Sequence, residues 1–271
     1  MIPLEDSYQD ILGKAQRGLK ISTGTLAHDA GIAQADYEKV LEGNFDEGIV
    51  RKVAPLLELD ADRLVALAKK EWHPGISEFP DGLARTNTQF DDMTVNAYIV
   101  WDPATKKAAI FDTGADCEPL LKIISDKGLQ PEYILLTHTH VDHIADLSKL
   151  TKATGASVHG HKSEVSGRAK PLEWGDTFPL GKLIIETRQT SGHAVGGTTY
   201  FIPGLITPVA VVGDAIFAGS MGGGAISYEE ALRTNRENIF TLPDATILCP
   251  GHGPLTTVGL EKQHNPFYPE F

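Results

Sequence analysis

Cysteine is scarce in this chain of 271 residues: Cys117 and Cys249 are its only two. Two thiols so far apart make neither a disulfide framework nor a thiolate metal cluster. They read as reduced, buried packing residues. Cations are short as well, with 24 Lys and Arg against 36 Asp and Glu and a formal net charge of -12. Affinity for phosphate backbones comes from Lys and Arg, so nucleic acid is not an expected partner. No apolar stretch approaches the roughly 20 residues that span a bilayer. The start, Met1-Ile2-Pro3-Leu4-Glu5-Asp6, lacks the basic segment and apolar run of a secretion signal. The expectation is a cytoplasmic protein with no membrane partner.

What is present is an ordinary globular composition, 41% apolar, long enough for one large domain and a small one. Residues 1–73 read as helical and residues 74–271 as alternating strands and helices, with Pro74-Gly75 as the joint. In the first region, Leu26, Ala27 and Ala30 mark one amphipathic segment, and Tyr37, Val40 and Leu41 a second. Val50, Val53, Leu56 and Leu57 mark a third, and Leu64, Val65 and Leu67 a fourth. Glycines at 31 and 43 end the first two. Helix, tight turn, helix is a helix-turn-helix pattern, and Thr25 to Ile32 resembles the second helix and turn of phage-repressor-type domains over about residues 10 to 70. The helix that would read bases begins near Gln34 and carries Asp36, Glu38 and Glu42 against Lys39. Residues 1–73 hold 9 Lys and Arg and 13 Asp and Glu, a net of -4. Phosphate repulsion opposes such a helix before any base is read. A module for dimerisation, docking or covering an active site fits better, and a homo-oligomer is compatible with the sequence.

In the second region, Thr94–Trp101 and Ala108–Asp112 read as a hairpin joined at Asp102-Pro103-Ala104-Thr105. A helix is expected over Cys117–Lys127, a buried strand over Tyr133–Leu136 and a helix over Ile144–Thr154. Further strands are expected at Leu183–Thr187, Thr198–Ile202, Val209–Val212 and Ile247–Cys249. Ser227 and Glu230 have the spacing of a capping box.

Chemistry concentrates after the Tyr133–Leu136 strand. Thr137-His138-Thr139-His140-Val141-Asp142-His143 places four potential metal ligands in six positions. In an extended segment His138, His140 and Asp142 share one side, and His143 must leave that line, so the loop can serve two adjacent metals. Imidazole and carboxylate ligands suit zinc, and also iron or manganese, in an open catalytic site. Three more strand ends each offer one ligand: Ser191-Gly192-His193, Gly213-Asp214 and Gly251-His252-Gly253. In this order the motifs resemble the metallo-β-lactamase superfamily, specifically its glyoxalase II-like hydrolases, over about residues 85 to 266.

That resemblance implies an α/β (α+β) fold, a four-layer αββα sandwich, preceded here by the small all-α domain. It implies two divalent metal ions, zinc first. His138, His140 and His193 would hold one and Asp142, His143 and His252 the other, with Asp214 bridging and Asp142 and Asp214 serving catalysis. A metal-bridged hydroxide would then cleave a small ester, thioester or lactone.

The chain departs from the family pattern in places. Ser191 stands where proline is usual, and Ala145-Asp146 replaces a small glycine pair. Lys262 is the only Lys or Arg after His252, whereas glyoxalase II enzymes carry basic residues there for glutathione. Phe217 stands near where acylhomoserine lactonases place a tyrosine. Phe217 and Met221 are the candidate substrate contacts, the latter opening the glycine run Gly222-Gly223-Gly224 that permits loop movement. Two alternatives remain open. In a mononuclear iron persulfide dioxygenase, His138, His193 and Asp214 would be the ligands. In a DNA-binding regulator, the metal domain would sense a small molecule. Of the other histidines, His161 is a decoy candidate near the pocket, and His28, His73 and His264 read as surface or packing residues.

Overall fold

The computed structural model describes residues 2–165, 167 and 169–271. Five helices come first: α1 (Tyr8–Leu19), α2 (Thr23–Asp29), α3 (Gln34–Leu41), α4 (Glu47–Val53) and α5 (Ala61–Ala68). α2 to α5 carry the four segments expected from the sequence, with Leu56 and Leu57 in a short 3₁₀ turn. No amphipathic segment was singled out in the sequence for the first helix. Tyr8, Ile11, Leu12 and Ala15 form its buried stripe at helical spacing, but Gly13 and Gly18 weaken its intrinsic propensity. Ser7 and Asp10 cap it reciprocally. The exposed face of α3 is acidic, with Lys39 paired to Asp36 at 2.8 Å.

Two six-stranded sheets follow. In the first the order is β1 (Leu83–Phe90), β2 (Met93–Trp101), β3 (Lys107–Phe111), β4 (Gln130–Leu135), β5 (Ser157–His161) and β6 (Lys170–Leu172). The pairs are antiparallel from β1 to β3 and parallel from β3 to β6. In the second sheet β12 (Thr256–Thr257), β11 (Ile247–Pro250), β10 (Val209–Gly213), β9 (Thr198–Ile202), β8 (Leu183–Gln189) and β7 (Thr177–Leu180) lie in that order. Its one parallel pair is β10 with β11. The expected β2–β3 hairpin is present, but β1 lies in front of it. The run Arg85-Thr86-Asn87-Thr88-Gln89 within β1 is polar, so alternation gives no apolar face to read.

Three clusters of buried side chains define the layers. Val100, Phe111 and Leu135 of the first sheet meet Ile185, Tyr200, Val211 and Cys249 of the second. The outer face of the first sheet, including Ile99, Trp101 and Ile110, is covered by α6 (Glu118–Lys127) and α8 (Leu147–Thr154) through Leu120 and Leu150. β2 is buried from Val95 to Trp101 because successive side chains enter opposite, covered faces. The outer face of the second sheet, with Phe201, Ala210, Val212 and Leu248, packs beneath α9 (Tyr228–Asn238), α10 (Val258–His264) and the N-terminal helices in one continuous cluster. The result is the four-layer αββα sandwich, with α1 to α5 added to its second helical layer.

Two local expectations need correction. The helix foreseen at 144–154 is broken into α7 (Val141–Ile144) and α8. Asp146 at the break turns to accept a hydrogen bond from the Cys117 amide at 3.0 Å. The Ser227–Glu230 box is half formed. Ser227 accepts the Glu230 amide at 3.2 Å, but the Glu230 carboxylate is taken by the Ser191 hydroxyl.

Candidate metal centre

The seven candidate ligands come from four loops. His138 to His143 follow β4, His193 follows β8, Asp214 follows β10 and His252 follows β11. Each sheet holds a loop of the other. From β2, Asn96 Nδ2 donates to the carbonyls of Pro250 and Gly253 at 2.9 Å, and the Tyr98 hydroxyl donates to Pro250 at 2.7 Å. From β9, the Thr198 amide donates to Thr137 O at 2.9 Å and the Tyr200 hydroxyl to Leu136 O at 2.7 Å. The spacing is tight at Gly251, where a Cβ would lie 2.1 Å from Asp214 Oδ1.

The side chains gather into two groups. His138, His140, His193 and Asp214 offer atoms within 4.8 Å of one another, as do Asp142, His143 and His252. Asp214 joins them. Its Oδ2 lies 3.5 Å from both His193 Nε2 and His252 Nε2, and its Oδ1 lies 3.3 Å from His143 Nε2.

Outer contacts fix which ring nitrogen faces inward. His143 Nδ1 donates to Asp112 Oδ2 at 2.8 Å, His252 Nδ1 to Thr94 O at 2.8 Å and His193 Nδ1 to Gly223 O at 2.9 Å. The Thr137 hydroxyl donates to Asp112 Oδ2 at 2.7 Å and so accepts from His138 Nδ1 at 3.0 Å. The Nε2 atoms of all four rings therefore point at the centre. His140 presents Nδ1 instead, 3.0 Å from His138 Nε2 and 3.1 Å from His193 Nε2. A single proton cannot satisfy three such nitrogens.

In the second group, the Nε2 atoms of His143 and His252 face carboxylates. His252 Nε2 is 3.2 Å and His143 Nε2 3.4 Å from Asp142 Oδ2. His143 Nε2 and Asp214 Oδ1 are buried and have no hydrogen-bond partner despite their 3.3 Å approach. An orphaned buried nitrogen and oxygen aimed at one point are what a cation would satisfy. The donor set is imidazole and carboxylate with no thiolate, and it suits divalent metals.

The titration behaviour agrees. Burial opposes the charged form of His143, yet the carboxylates of Asp214 and Asp112 push its pKa up to about 10. His252 is likewise buried, and hydrogen bonds to Asp142 and Asp214 push it up to about 11. In the other group, burial and then the neighbouring His143 hold His138 well below the usual imidazole range. Burial also lowers His193. One group thus attracts positive charge through carboxylates, and the other offers neutral imidazoles.

With that geometry in view, the comparisons with known proteins fall into place. Residues 90–252 match the family model of the metallo-beta-lactamase superfamily. They make up more than half of the chain, and the protein belongs to that superfamily. A probable metallo-hydrolase, YqgX of Bacillus subtilis, is 31% identical over 198 residues, covering 64% of this chain and 91% of the relative. The hydroxyacylglutathione hydrolase GloC of Haemophilus influenzae is 28% identical over 197 residues, covering 64% of this chain and 92% of the relative. Among solved structures, the BLEG-1 B3 metallo-beta-lactamase superposes with a TM-score of 0.59 at 27% identity, covering 69% of this chain and all of that one. Clusters and family together indicate an enzyme of the metallo-hydrolase class that uses divalent metal.

The other sequence candidates lie outside the two groups. His161 stacks on Trp174 at 4.0 Å and bonds Ser163 through Nδ1 at 2.7 Å. His264 stacks on Trp72, His73 bonds the carbonyl of Ile2, and His28 is exposed. Phe217 is buried with its ring edge-on to His252 at 5.7 Å. The Met221 side chain lies in the core, and its carbonyl accepts from Lys14 Nζ at 2.8 Å. Sequence reading missed Asp112 and Glu164. Glu164 accepts from the Thr139 hydroxyl at 2.6 Å and from the Gly196 amide at 2.8 Å.

No helix is long and apolar enough to cross a membrane, among the described residues.

Proposed function

We propose that this chain is a dinuclear metal-dependent hydrolase that cleaves a small thioester, ester or lactone. The observation that carries the reading is Asp214, which lies within 3.5 Å of a histidine from each ligand group. A single-metal site would leave Asp142, His143 and His252 converging on nothing.

His138, His140 and His193 would hold one ion, Asp142, His143 and His252 the other, and Asp214 would be shared. When bound, two divalent ions, zinc first, supply a water of lowered pKa and a positive field for the developing oxyanion. The residues set the rest. Asp142 turns Oδ2 to His252, leaving Oδ1 to orient the attacking water and take its proton. Asp112 and Thr94 hold His143 and His252 in the tautomer that exposes Nε2. Phe217 closes one side of the His252 ring and keeps bulk water from it. The GloC relative acts on a hydroxyacyl thioester by its name, which favours a thioester.

Elemental analysis of protein purified without chelators tests the reading. About two metals per chain, with thioester hydrolysis, are expected. Asp214→Ala should lower metal content and reduce turnover by about 100-fold or more. One iron per chain with oxygen uptake on a persulfide would replace this reading with a mononuclear dioxygenase. Full metal occupancy in Asp214→Ala with unchanged turnover would remove Asp214 from the site. A regulator reading has less support, since the exposed face of α3 is acidic.

A further inference from the structure

The chain is strongly acidic, yet one groove beside the metal centre is not. It has a volume of about 520 Å³ and runs between α1 and the loop that precedes α9. Lys14, Arg17 and Lys20 line one wall, and Gly223, Ala225 and Ile226 line the other. Glu229 is its only acidic lining residue. Lys14 is partly neutralised by Asp6. Arg17 and Lys20 are exposed and have no carboxylate partner among the described residues. Elsewhere on α1 to α5 the cations are mostly paired, as Lys39, Arg51, Arg63 and Lys69 are. Two unpaired cations facing one groove of a chain at -12 form a local positive field.

The groove is built into the fold. A Cβ at Gly18 would fall 2.2 Å from the Tyr228 ring, and one at Gly224 would fall 2.4 Å from Tyr228 Cα. The helix and the loop are thus both pressed against the start of α9, and their separation is set by backbone packing. A Cβ at Gly223 would meet nothing within 4 Å, so the loop faces open space at that point. The same residue reaches the metal centre, because Gly223 O accepts from His193 Nδ1 at 2.9 Å. Lys14 Nζ holds Met221 O at 2.8 Å, two residues upstream. Ile226, 57% exposed, adds an apolar surface beside the cations.

We propose that this groove is an anion-binding subsite for a ligand with a carboxylate or phosphate at one end and a short apolar spacer. In the hydrolase it takes the tail of the substrate while the scissile acyl bond lies at the metal centre. The tail role rests on the hydrolase reading; the anion site does not. Arg17 and Lys20 select by charge, and the Gly223 surface lets an acyl chain pass close to the His193 loop.

The test compares the metal-loaded protein with its Arg17→Glu/Lys20→Glu variant, two surface changes that leave the core and the ligands intact. Calorimetric titration with glutarate reads binding directly. Hydrolysis of glutaryl and valeryl thioesters of N-acetylcysteamine, equal in length and different in terminal charge, reads selectivity. Expected are weaker glutarate binding in the variant by about 10-fold and a KM for the glutaryl thioester raised by a similar factor. The valeryl thioester should be unaffected. Equal glutarate affinity in the two proteins, or equal loss on both thioesters, overturns the proposal. Glutarate binding that depends on Arg17 and Lys20, with no thioester hydrolysed by the unaltered protein, upholds the anion site and overturns the tail role and the thioester as substrate.

Discussion

Asp112 shows how much a single residue can hide. The sequence places it as the last residue of the strand Ala108–Asp112, and in the structure it follows β3. Here it sits at a positive φ of 57° and accepts the Thr137 amide, the Thr137 hydroxyl and His143 Nδ1. Its importance depends on a contact with His143 across 31 positions, which no local pattern reveals. Glu261 is a second case. Its side chain is fully buried and accepts from Gly219, Thr256 and Asn265, and burial pushes its carboxyl up to about 7. The folded chain therefore binds this proton more tightly than the unfolded chain, whose carboxyl titrates near 4.5. The resulting stability is complete below the unfolded value and is lost as the pH rises through about 7. The loss amounts to roughly 3 kcal/mol. In Glu261→Gln, Oε1 can still accept from Gly219 and Asn265 while Nε2 donates to Thr256. Denaturant midpoints should then become flatter between about pH 5 and pH 8 than in the parent. Parallel curves for the two proteins would mean that Glu261 is ionised throughout.

Elements were legible where one element carries its own signal. The His138 to His143 loop was legible because four potential ligands fall within six positions. β9, β10 and β11 were legible because both of their faces are covered and their residues are apolar. α1 and β1 were not legible: glycines interrupt the first, and polar residues fill the second. The end of β5 was legible only as a decoy histidine, yet the turn after it supplies Glu164. This carboxylate joins the Thr139 amide and hydroxyl to the Gly196 amide, tying the loop between His138 and His140 to the loop after His193. Burial works against its charge, but the hydrogen bonds from Thr139 and Gly196 hold its pKa below the usual range. Glu164→Ala should free the two loops and weaken metal binding by the His138, His140 and His193 group by about 10- to 100-fold. Stepwise chelator titration would show one metal leaving earlier than in the parent. Unchanged release of both metals would show that each loop holds its ligands alone.

At the scale of the whole molecule, residues 1–73 read in sequence as a separate small domain. In the structure the buried side chains of those helices are continuous with those of the second sheet. Leu12, Tyr37, Val53 and Leu64 lie in one buried cluster with Val212, Ile216, Leu232 and Leu248 from the second sheet and α9. The segment before α1 adds polar ties, with Asp6 accepting from Ser220 at 2.5 Å and the Ile2 carbonyl held by His73. Arg63 from α5 donates to the carbonyls of Asn265 and Tyr268 near the other end of the chain. Periodicity shows which face of a helix is apolar but not which surface covers it, so the shared core could not be read in advance. A shared core implies shared unfolding. Leu12 is fully buried in α1, and Leu12→Ala should cost about 2–5 kcal/mol. Hydrogen exchange across a denaturant series should show peptides from α1 to α5 and from α9 opening at one midpoint, and both midpoints should fall together in the variant. Opening of the N-terminal helices at lower denaturant, with α9 still protected and unmoved by Leu12→Ala, would make them an independent domain. They would then be docked on the hydrolase fold, and the groove between α1 and the Gly223 loop would become an interface between two folding units.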